Sequence, residues 1–195
     1  MDPGPAILIP AAGASTRFGS PKQLARVRDR AMLATVVDRA LESGHGPIAV
    51  VLGAHANEIM PMLQDKPVTV VINDAWREGL SSSIRVGVRS LLGSPGILIW
   101  LGDQLAVTVA DLRRLIAAWD DDRSRVAASR YDGTVGVPAI LPSSEYADLL
   151  ALRGDRGARH LLRSRSGHTT IVDMANAAID IDAPMDLETH AARLD

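Results

Sequence analysis

The stretch AILIPAAGASTRFGSPKQL, residues 6–24, decides how the chain is read. Its first five residues form a continuous aliphatic run, the pattern of a strand buried on both faces in a parallel sheet. From Ala11 the side chains shrink to Ala, Gly and Ser, and then Arg17 and Lys22 appear. Small residues let the backbone approach a ligand closely, and Gly13 and Gly19 permit conformations that other residues resist. Successive N–H groups in such a turn form a concave anion site, reinforced if a helix begins after Lys22. Ala11, Ala12, Gly13 and Ser15 are therefore candidate binding residues, and Arg17 and Lys22 add the positive charge that a polyphosphate requires. The competing reading is a surface loop with two solvated cations.

The loop is not a Walker A motif, because no Gly-Lys-Ser/Thr follows its glycines. Nor is it the dinucleotide fingerprint, since the glycine after Gly13 comes six residues on. Kinase, GTPase and NAD chemistry are all disfavoured.

Composition narrows the field further. With 47% hydrophobic residues and 23% charged, the 195-residue chain reads as one ordinary globular domain with an aliphatic core. One Phe, two Tyr and three Trp leave little for stacking on single-stranded nucleic acid, and a net charge of −2 offers no general attraction to nucleic acid or anionic membrane. The arginines of RGDRGARHLLRSR (153–165) read as a solvated helix face. There is no cysteine, which excludes disulfides, iron–sulfur clusters and Cys-type zinc sites. The five histidines (45, 55, 160, 168 and 190) show no close pairing and read as surface or structural residues. PAILIPAAGA looks like a signal-peptide core, but it lacks a basic flank, follows Asp2, and is too short to span a membrane. A cytoplasmic location is expected.

Further aliphatic runs lie at 47–53, 68–73, 96–103, 137–141 and 169–174. Between them, helical spacing is expected over 22–43, 55–65, 81–92, 108–119, 144–152 and 155–165. This alternation predicts an α/β, three-layer, Rossmann-like fold around a mostly parallel sheet. The polar stretch WDDDRSRVAASRYDGTVG (119–136) is expected to border or cover the site. In open parallel sheets ligands sit at the carboxyl ends of the strands. The first four strands end in Ala11–Ala12–Gly13, Gly53, Asn73 and Gly102–Asp103, so Gly53, Asn73 and Asp103 join the candidates. An ionised Asp103 ending a central strand would be costly if unpaired. Beside phosphates its natural partner is Mg²⁺, which prefers one or two carboxylates plus phosphate oxygens. Asp180, Asp182 and Asp186 could supply a second acidic group; Asp182 could equally cap a final helix starting at Pro184.

The segment PAAGASTRFGSPKQL resembles the signature of the MobA-like nucleotidyltransferases. NDAWREGLSSSIRVGV (73–88), LGDQLAVT (101–108), YDGTVGVPAIL (131–141), LRGDRGARHLL (152–162) and DIDAPMDL (180–187) follow in the order found in the MocA-type subgroup, the molybdenum cofactor cytidylyltransferases and their relatives. The resemblance spans essentially the whole chain. It implies a GT-A type fold in one nucleotidyltransferase domain (1–195), with a nucleotide-binding half (1–107) and an acceptor-binding half (108–195). The implied reaction moves a nucleoside monophosphate from an NTP to a phosphorylated acceptor, with molybdopterin or molybdenum cofactor as the acceptor and a molybdoenzyme or its chaperone as a downstream partner.

By the same resemblance Arg17 and Lys22 hold the triphosphate and are catalytic together with Asp103. Asp103 holds Mg²⁺, Asp182 helps hold the metal or the acceptor phosphate, and Ser82 and Ser83 are candidate base readers, with capping of the helix after Gly79 as their alternative. Ala12 stands where a glycine accompanies guanylyl transfer in the family, and its methyl crowds a purine more than a pyrimidine, favouring CTP over GTP. Three departures stand out. QLARVRDRAMLATVV lacks the usual Gly-x-Pro-Leu turn, Leu105 replaces a common proline, and Val137 replaces the histidine of Gly-His-Pro. Two other readings remain: a nucleotidyltransferase for a sugar phosphate or another alcohol phosphate, and a non-catalytic nucleotide-binding cofactor chaperone.

Overall fold

The computed structural model describes residues 3–44, 46–155 and 157–190. His45 and Arg156, the latter within the expected helix 155–165, lie outside the described residues. Strand β1 (Ala6–Pro10) is fully buried. A 3₁₀ turn at Lys22–Leu24 and a two-stranded ribbon of β2 (Arg26–Val27) and β3 (Arg30–Ala31) precede α1 (Met32–Ser43). The helix expected over 22–43 therefore starts ten residues late. Arg28, with φ 56°, opens the two-residue turn between β2 and β3, a conformation no helix accommodates.

Next come β4 (Ile48–Leu52), α2 (Ala56–Ile59), β5 (Thr69–Ile72), α3 (Leu80–Ser90) and β6 (Gly96–Ile99). The helix expected over 55–65 is α2 followed by a 3₁₀ turn at Met60–Leu63, because Pro61 has no N–H to donate. The second half comprises α4 (Val109–Asp120), β7 (Val126–Tyr131), β8 (Thr134–Pro142), α5 (Tyr146–Ala151), α6 (Arg159–Ser164), β9 (Thr169–Asp173) and α7 (Pro184–Thr189).

Seven strands make one sheet in the order β5-β4-β1-β6-β8-β7-β9. Strand β8 runs antiparallel to both of its neighbours, and the remaining pairings are parallel. The expected three-layer, mostly parallel architecture is present. Alternate residues of β1 supply the two cores. Ile7 and Ile9 pack with Leu33, Val36, Leu112 and Trp119 of α1 and α4, while Leu8 packs with Ile84, Val88 and Leu149 of α3 and α5. This two-sided burial is why the run shows no polar alternation. The stretch 119–136 departs from expectation. It contributes β7, whose residues Val126–Ser129 are buried between β8 and β9, and none of it lines the cleft described below. Among the described residues no helix is long and apolar enough to cross a membrane.

Candidate functional site

At the carboxyl ends of β1 and β6 the chain leaves the sheet on adjacent strands, and a cleft of about 440 Å³ opens there. One wall is the loop after β1, where Ala11, Ala12, Gly13, Ser15, Arg17 and Lys22 all line the cavity. A buried glutamine that sequence reasoning missed shapes this loop. The side-chain amide of Gln23 donates to the carbonyls of Ala11 (2.9 Å) and Gly13 (3.1 Å), and its oxygen accepts from the Ser15 hydroxyl (3.2 Å). The Lys22 N–H in turn donates to Ser15 Oγ at 3.2 Å. Held this way, the N–H groups of Gly13, Ala14, Ser15 and Thr16 meet no protein acceptor among the described residues and are left for solvent or a ligand. A row of such donors is an anion cradle.

Opposite the loop stands a cluster of charge. Lys22 Nζ lies 2.7 Å from Asp103 Oδ2, 2.9 Å from Asp182 Oδ1 and 2.9 Å from the Ile181 carbonyl. Arg17 Nη2 reaches Asp182 Oδ2 at 2.8 Å, from a side chain that is 75% exposed. Burial disfavours the Lys22 ammonium, but Asp103 and Asp182 outweigh it, and its pKa stands above the ordinary value. The backbone braces the pair, since the Ile181 N–H donates to the Asp103 carbonyl at 3.1 Å. Asp180 reaches solvent beside them. Crowding by surrounding protein and the charges of Asp103 and Asp182 push its carboxyl up to about 6, against the pull of Lys22 and Arg159.

The competing roles in DIDAPMD separate cleanly. Asp186 Oδ2 accepts from the N–H groups of Asp182 (2.8 Å) and Ala183 (2.7 Å), so Asp186 organises the start of α7. Asp182 makes no capping bond, and its carboxylate faces Lys22 and Arg17.

The residues also fit a divalent cation. Asp103 Oδ1 is buried and accepts no hydrogen bond, an orphaned oxygen that a cation would satisfy. Among the described residues no three His, Cys, Asp or Glu side chains form a ready-made cage. That suits Mg²⁺, which takes one or two carboxylates and completes its shell with phosphate and water.

The far wall belongs to the β5–α3 connection, two strands away from β1. Asn73 is buried and does not line the cleft. Its Nδ2 donates to Ser82 Oγ (2.8 Å) and Ser83 Oγ (3.0 Å), and its Oδ1 accepts from the Ala75 N–H. Ser82 donates back to the Gly79 carbonyl at 2.8 Å, which is not a cap, since no side chain caps the start of α3; it is also absent from the lining. Ser83 does line the cleft. Gly53 stands behind it, where a Cβ would lie 2.6 Å from Trp76 Cβ and 2.9 Å from Ala12 Cβ. It permits close packing of that wall rather than touching a ligand. Trp76, Arg77, Leu80 and Asp155 line the cleft as well, with the Arg77 guanidinium 4.3 Å from the centre of the Trp76 ring. No motif pointed to these four as ligand-facing, although all of them sit within segments that resembled the family.

The departures fall elsewhere. Leu105 is fully buried in the core, and its carbonyl accepts from Arg39. Val137 packs against the second core cluster, and its carbonyl accepts from Gln104 Nε2 at 3.0 Å.

Comparison with known proteins gives the family and agrees with the fold. Residues 7–170 match the model of the MobA-like NTP transferase domain. Nicotine blue oxidoreductase of Paenarthrobacter nicotinovorans is 28% identical over 179 residues, 88% of each chain. The crystal structure of Rv0371c from Mycobacterium tuberculosis superposes with a TM-score of 0.86 at 26% identity, over 98% of this chain and 99% of that one. Another structure of Rv0371c is a complex with manganese. A nucleotidyl transferase from Methanothermobacter gives 0.82 at 26% identity, over 98% and 99%. With its fold and the greater part of its length in agreement, the chain belongs to the MobA-like NTP transferase family, consistent with the MocA-type subgroup.

Proposed function

We propose that the chain transfers CMP from CTP to a phosphorylated acceptor, molybdopterin or molybdenum cofactor, and releases pyrophosphate. The observation that carries this reading is the meeting of Lys22, Asp103 and Asp182 at the open end of an amide-lined loop. Nucleotidyl transfer is the reaction class of the family; the nucleotide, the acceptor and the residue roles are our reading.

An acceptor phosphate oxygen attacks the α-phosphorus in line. A new O–P bond forms as the bond from the α-phosphorus to the bridging oxygen breaks, and that oxygen leaves with pyrophosphate. The attacking group is already an anion, so no base is required. The protein's contribution is position and charge. The N–H groups of Gly13–Thr16 cradle the phosphates, and Lys22 and Arg17 neutralise charge growing on the α-phosphate and the leaving pyrophosphate. Asp103 and Asp182 would hold Mg²⁺, which supplies Lewis acidity at phosphate oxygens.

Ser83, on the far wall, is the base reader. Ser83 Oγ already accepts from Asn73, so its hydroxyl proton remains to donate. Cytosine presents acceptors at N3 and O2 and guanine presents its own at O6 and N7, so this hydroxyl does not by itself choose between them. The Ala12 methyl, which crowds a purine more than a pyrimidine, favours CTP by on the order of 1–3 kcal/mol at best. The acceptor-binding half is assigned to residues 108–195, which begin with α4.

The deciding experiment incubates the protein with each NTP, Mg²⁺ and a panel of acceptors, and scores pyrophosphate. Release with CTP and molybdenum cofactor, yielding the dinucleotide, supports the reading. Release only with sugar or polyol phosphates moves the acceptor, and nucleotide binding without any pyrophosphate supports the chaperone alternative. An oxidoreductase activity like the one named in the Paenarthrobacter relative would proceed without pyrophosphate release.

A further inference from the structure

All three protons of the Lys22 ammonium are engaged, by Asp103 Oδ2 at 2.7 Å, Asp182 Oδ1 at 2.9 Å and the Ile181 carbonyl at 2.9 Å. A lysine ammonium has three donors and no more, so in this conformation Lys22 has none to give a phosphate. Arg17 also leans on Asp182, through a single contact from Nη2 that leaves its other donors free. The two cations assigned to the triphosphate are thus tied to the two carboxylates assigned to the metal.

We propose that the Lys22 ammonium occupies the divalent cation's own place between Asp103 and Asp182, so that ammonium and metal compete for these carboxylates and Lys22 reaches the triphosphate only after giving them up.

Charge supports the exchange. Lys22 and Arg17 bring two positive charges to these carboxylates, the same number that a divalent ion brings. Without one or the other, like charges would face each other at close range, and Asp180 beside them would add a third. Asp103 Oδ1 is the oxygen the ammonium leaves unsatisfied. An ammonium offers fixed N–H directions to two carboxylate oxygens and one carbonyl, whereas a metal ion has room for the orphan as well. Lys22 is mostly buried, but its unbranched stem can swing from the carboxylates to the loop it belongs to. The consequence is cooperativity: metal alone and nucleotide alone each meet an engaged partner, and each makes the other's binding easier by the same factor.

The inference rests on the nucleotidyl-transfer reading for the identity of the metal's companion, and its test is chosen to stand apart from that reading. Mn²⁺ alone is titrated into the full chain without nucleotide, with free Mn²⁺ followed by electron paramagnetic resonance. Lys22→Met should bind Mn²⁺ about tenfold more tightly than the unmodified protein, within the usual range of such couplings. Arg17→Met, which frees only one oxygen of Asp182, should show a smaller gain. With saturating Mg²⁺ both variants should bind CTP more weakly, a reversal of sign that a general loss of structure would not produce. Mn²⁺ binding to Lys22→Met no tighter than to the unmodified protein would overturn the proposal. Failure of CTP to bind the unmodified protein would overturn the nucleotide reading, while the Mn²⁺ result still decides the competition. Should Lys22→Met fail to fold, the ¹⁵N-labelled unmodified chain serves instead. The protected Lys22 ammonium resonance should vanish on titration with Mg²⁺, and its persistence at saturating metal would sink the idea.

Discussion

The Lys22 ammonium lies 2.7 Å from the Asp103 carboxylate, although 81 residues separate the two along the chain. Strand order brings them together, because β1 and β6 are adjacent and parallel and release their loops at the same edge of the sheet. If this pair serves phosphoryl chemistry, Lys22→Ala and Asp103→Ala should each lower turnover by roughly 10²–10³-fold, the scale for losing one preorganised electrostatic group. Arg17→Ala should cost less, since its side chain is 75% exposed and its charge is screened by water. Pyrophosphate release with Mg·CTP measures all three, and near-normal rates in the first two would reject the assignment.

Gly79 holds φ 99° at the start of α3, and a Cβ there would lie 2.0 Å from Asp155 Oδ1. Gly79→Ala should therefore destabilise the fold by about 1–3 kcal/mol and loosen nucleotide binding, since both the backbone conformation and the cleft wall resist it. Adding Asp155→Ala should recover only part of the stability, because it removes the side-chain collision but leaves the Gly154 carbonyl carbon 2.9 Å from the new Cβ and the backbone strain. Thermal unfolding of the single and double variants separates the two contributions. Full recovery would show that the backbone strain and the Gly154 contact are both negligible.

Gln104 follows Asp103 and is buried. Its Nε2 donates to the carbonyls of Val137 and Ala177, both at 3.0 Å, tying β8 and the segment before Asp180 to the β6 loop. Gln104→Ala would strand those two carbonyls, at a cost of about 1–3 kcal/mol in denaturant unfolding. Turnover should fall with little change in KM for nucleotide, because the displaced element carries Asp182 rather than the phosphate loop. An unchanged kcat would show that the segment holds its place without this clamp.

A pH dependence follows from Asp111, the third residue of α4. Burial opposes its ionisation, but hydrogen bonds from Asn176, Thr108 and Arg114 outweigh it and hold its pKa below 3.8. The folded state therefore favours the ionised form. Its contribution is full above the unfolded pKa and is lost as pH falls through the lower folded value. Thr108 and Asp111 also form a reciprocal cap at the start of α4. Asp111→Asn should destabilise by roughly 0.5–2 kcal/mol at neutral pH. The gap from the unmodified protein should shrink below about pH 4. A gap that stays constant down to pH 2 would contradict the assignment.

Much of this was legible along the chain, and the exceptions share a cause. Aliphatic runs marked β1, β4 and β6 because strands buried on two faces leave no room for polar alternation, and β8 and the partly exposed edge strands β5 and β9 were marked by shorter runs of the same kind. Strand β7 escaped notice. VAASRY is built of small residues beside the charged run DDDRSR, and only its pairing with β8 and β9 makes a strand of it. The ribbon at Arg26–Ala31 was hidden inside an apparently helical segment, since a positive φ at Arg28 leaves no mark on residue identity.

The site divides in the same way. Residue chemistry alone pointed to the loop from Ala11 to Lys22 and to Asp103, because small residues, cations and a strand-end carboxylate carry their meaning locally. Sequence left Asp182 between a cap and a site residue, and could not tell whether Asn73, Ser82 and Gly53 face the ligand or brace the wall that does. Nor could it show that Gln23, Trp76 and Asp155 frame the cleft. Those distinctions depend on the direction of each side chain, which is set by strand order, hydrogen bonding and packing between segments far apart in the chain. Sequence determined which chemical groups were available at the strand ends; the tertiary structure decided which of them meet, because only the folded sheet brings Lys22, Asp103 and Asp182 within hydrogen-bonding reach.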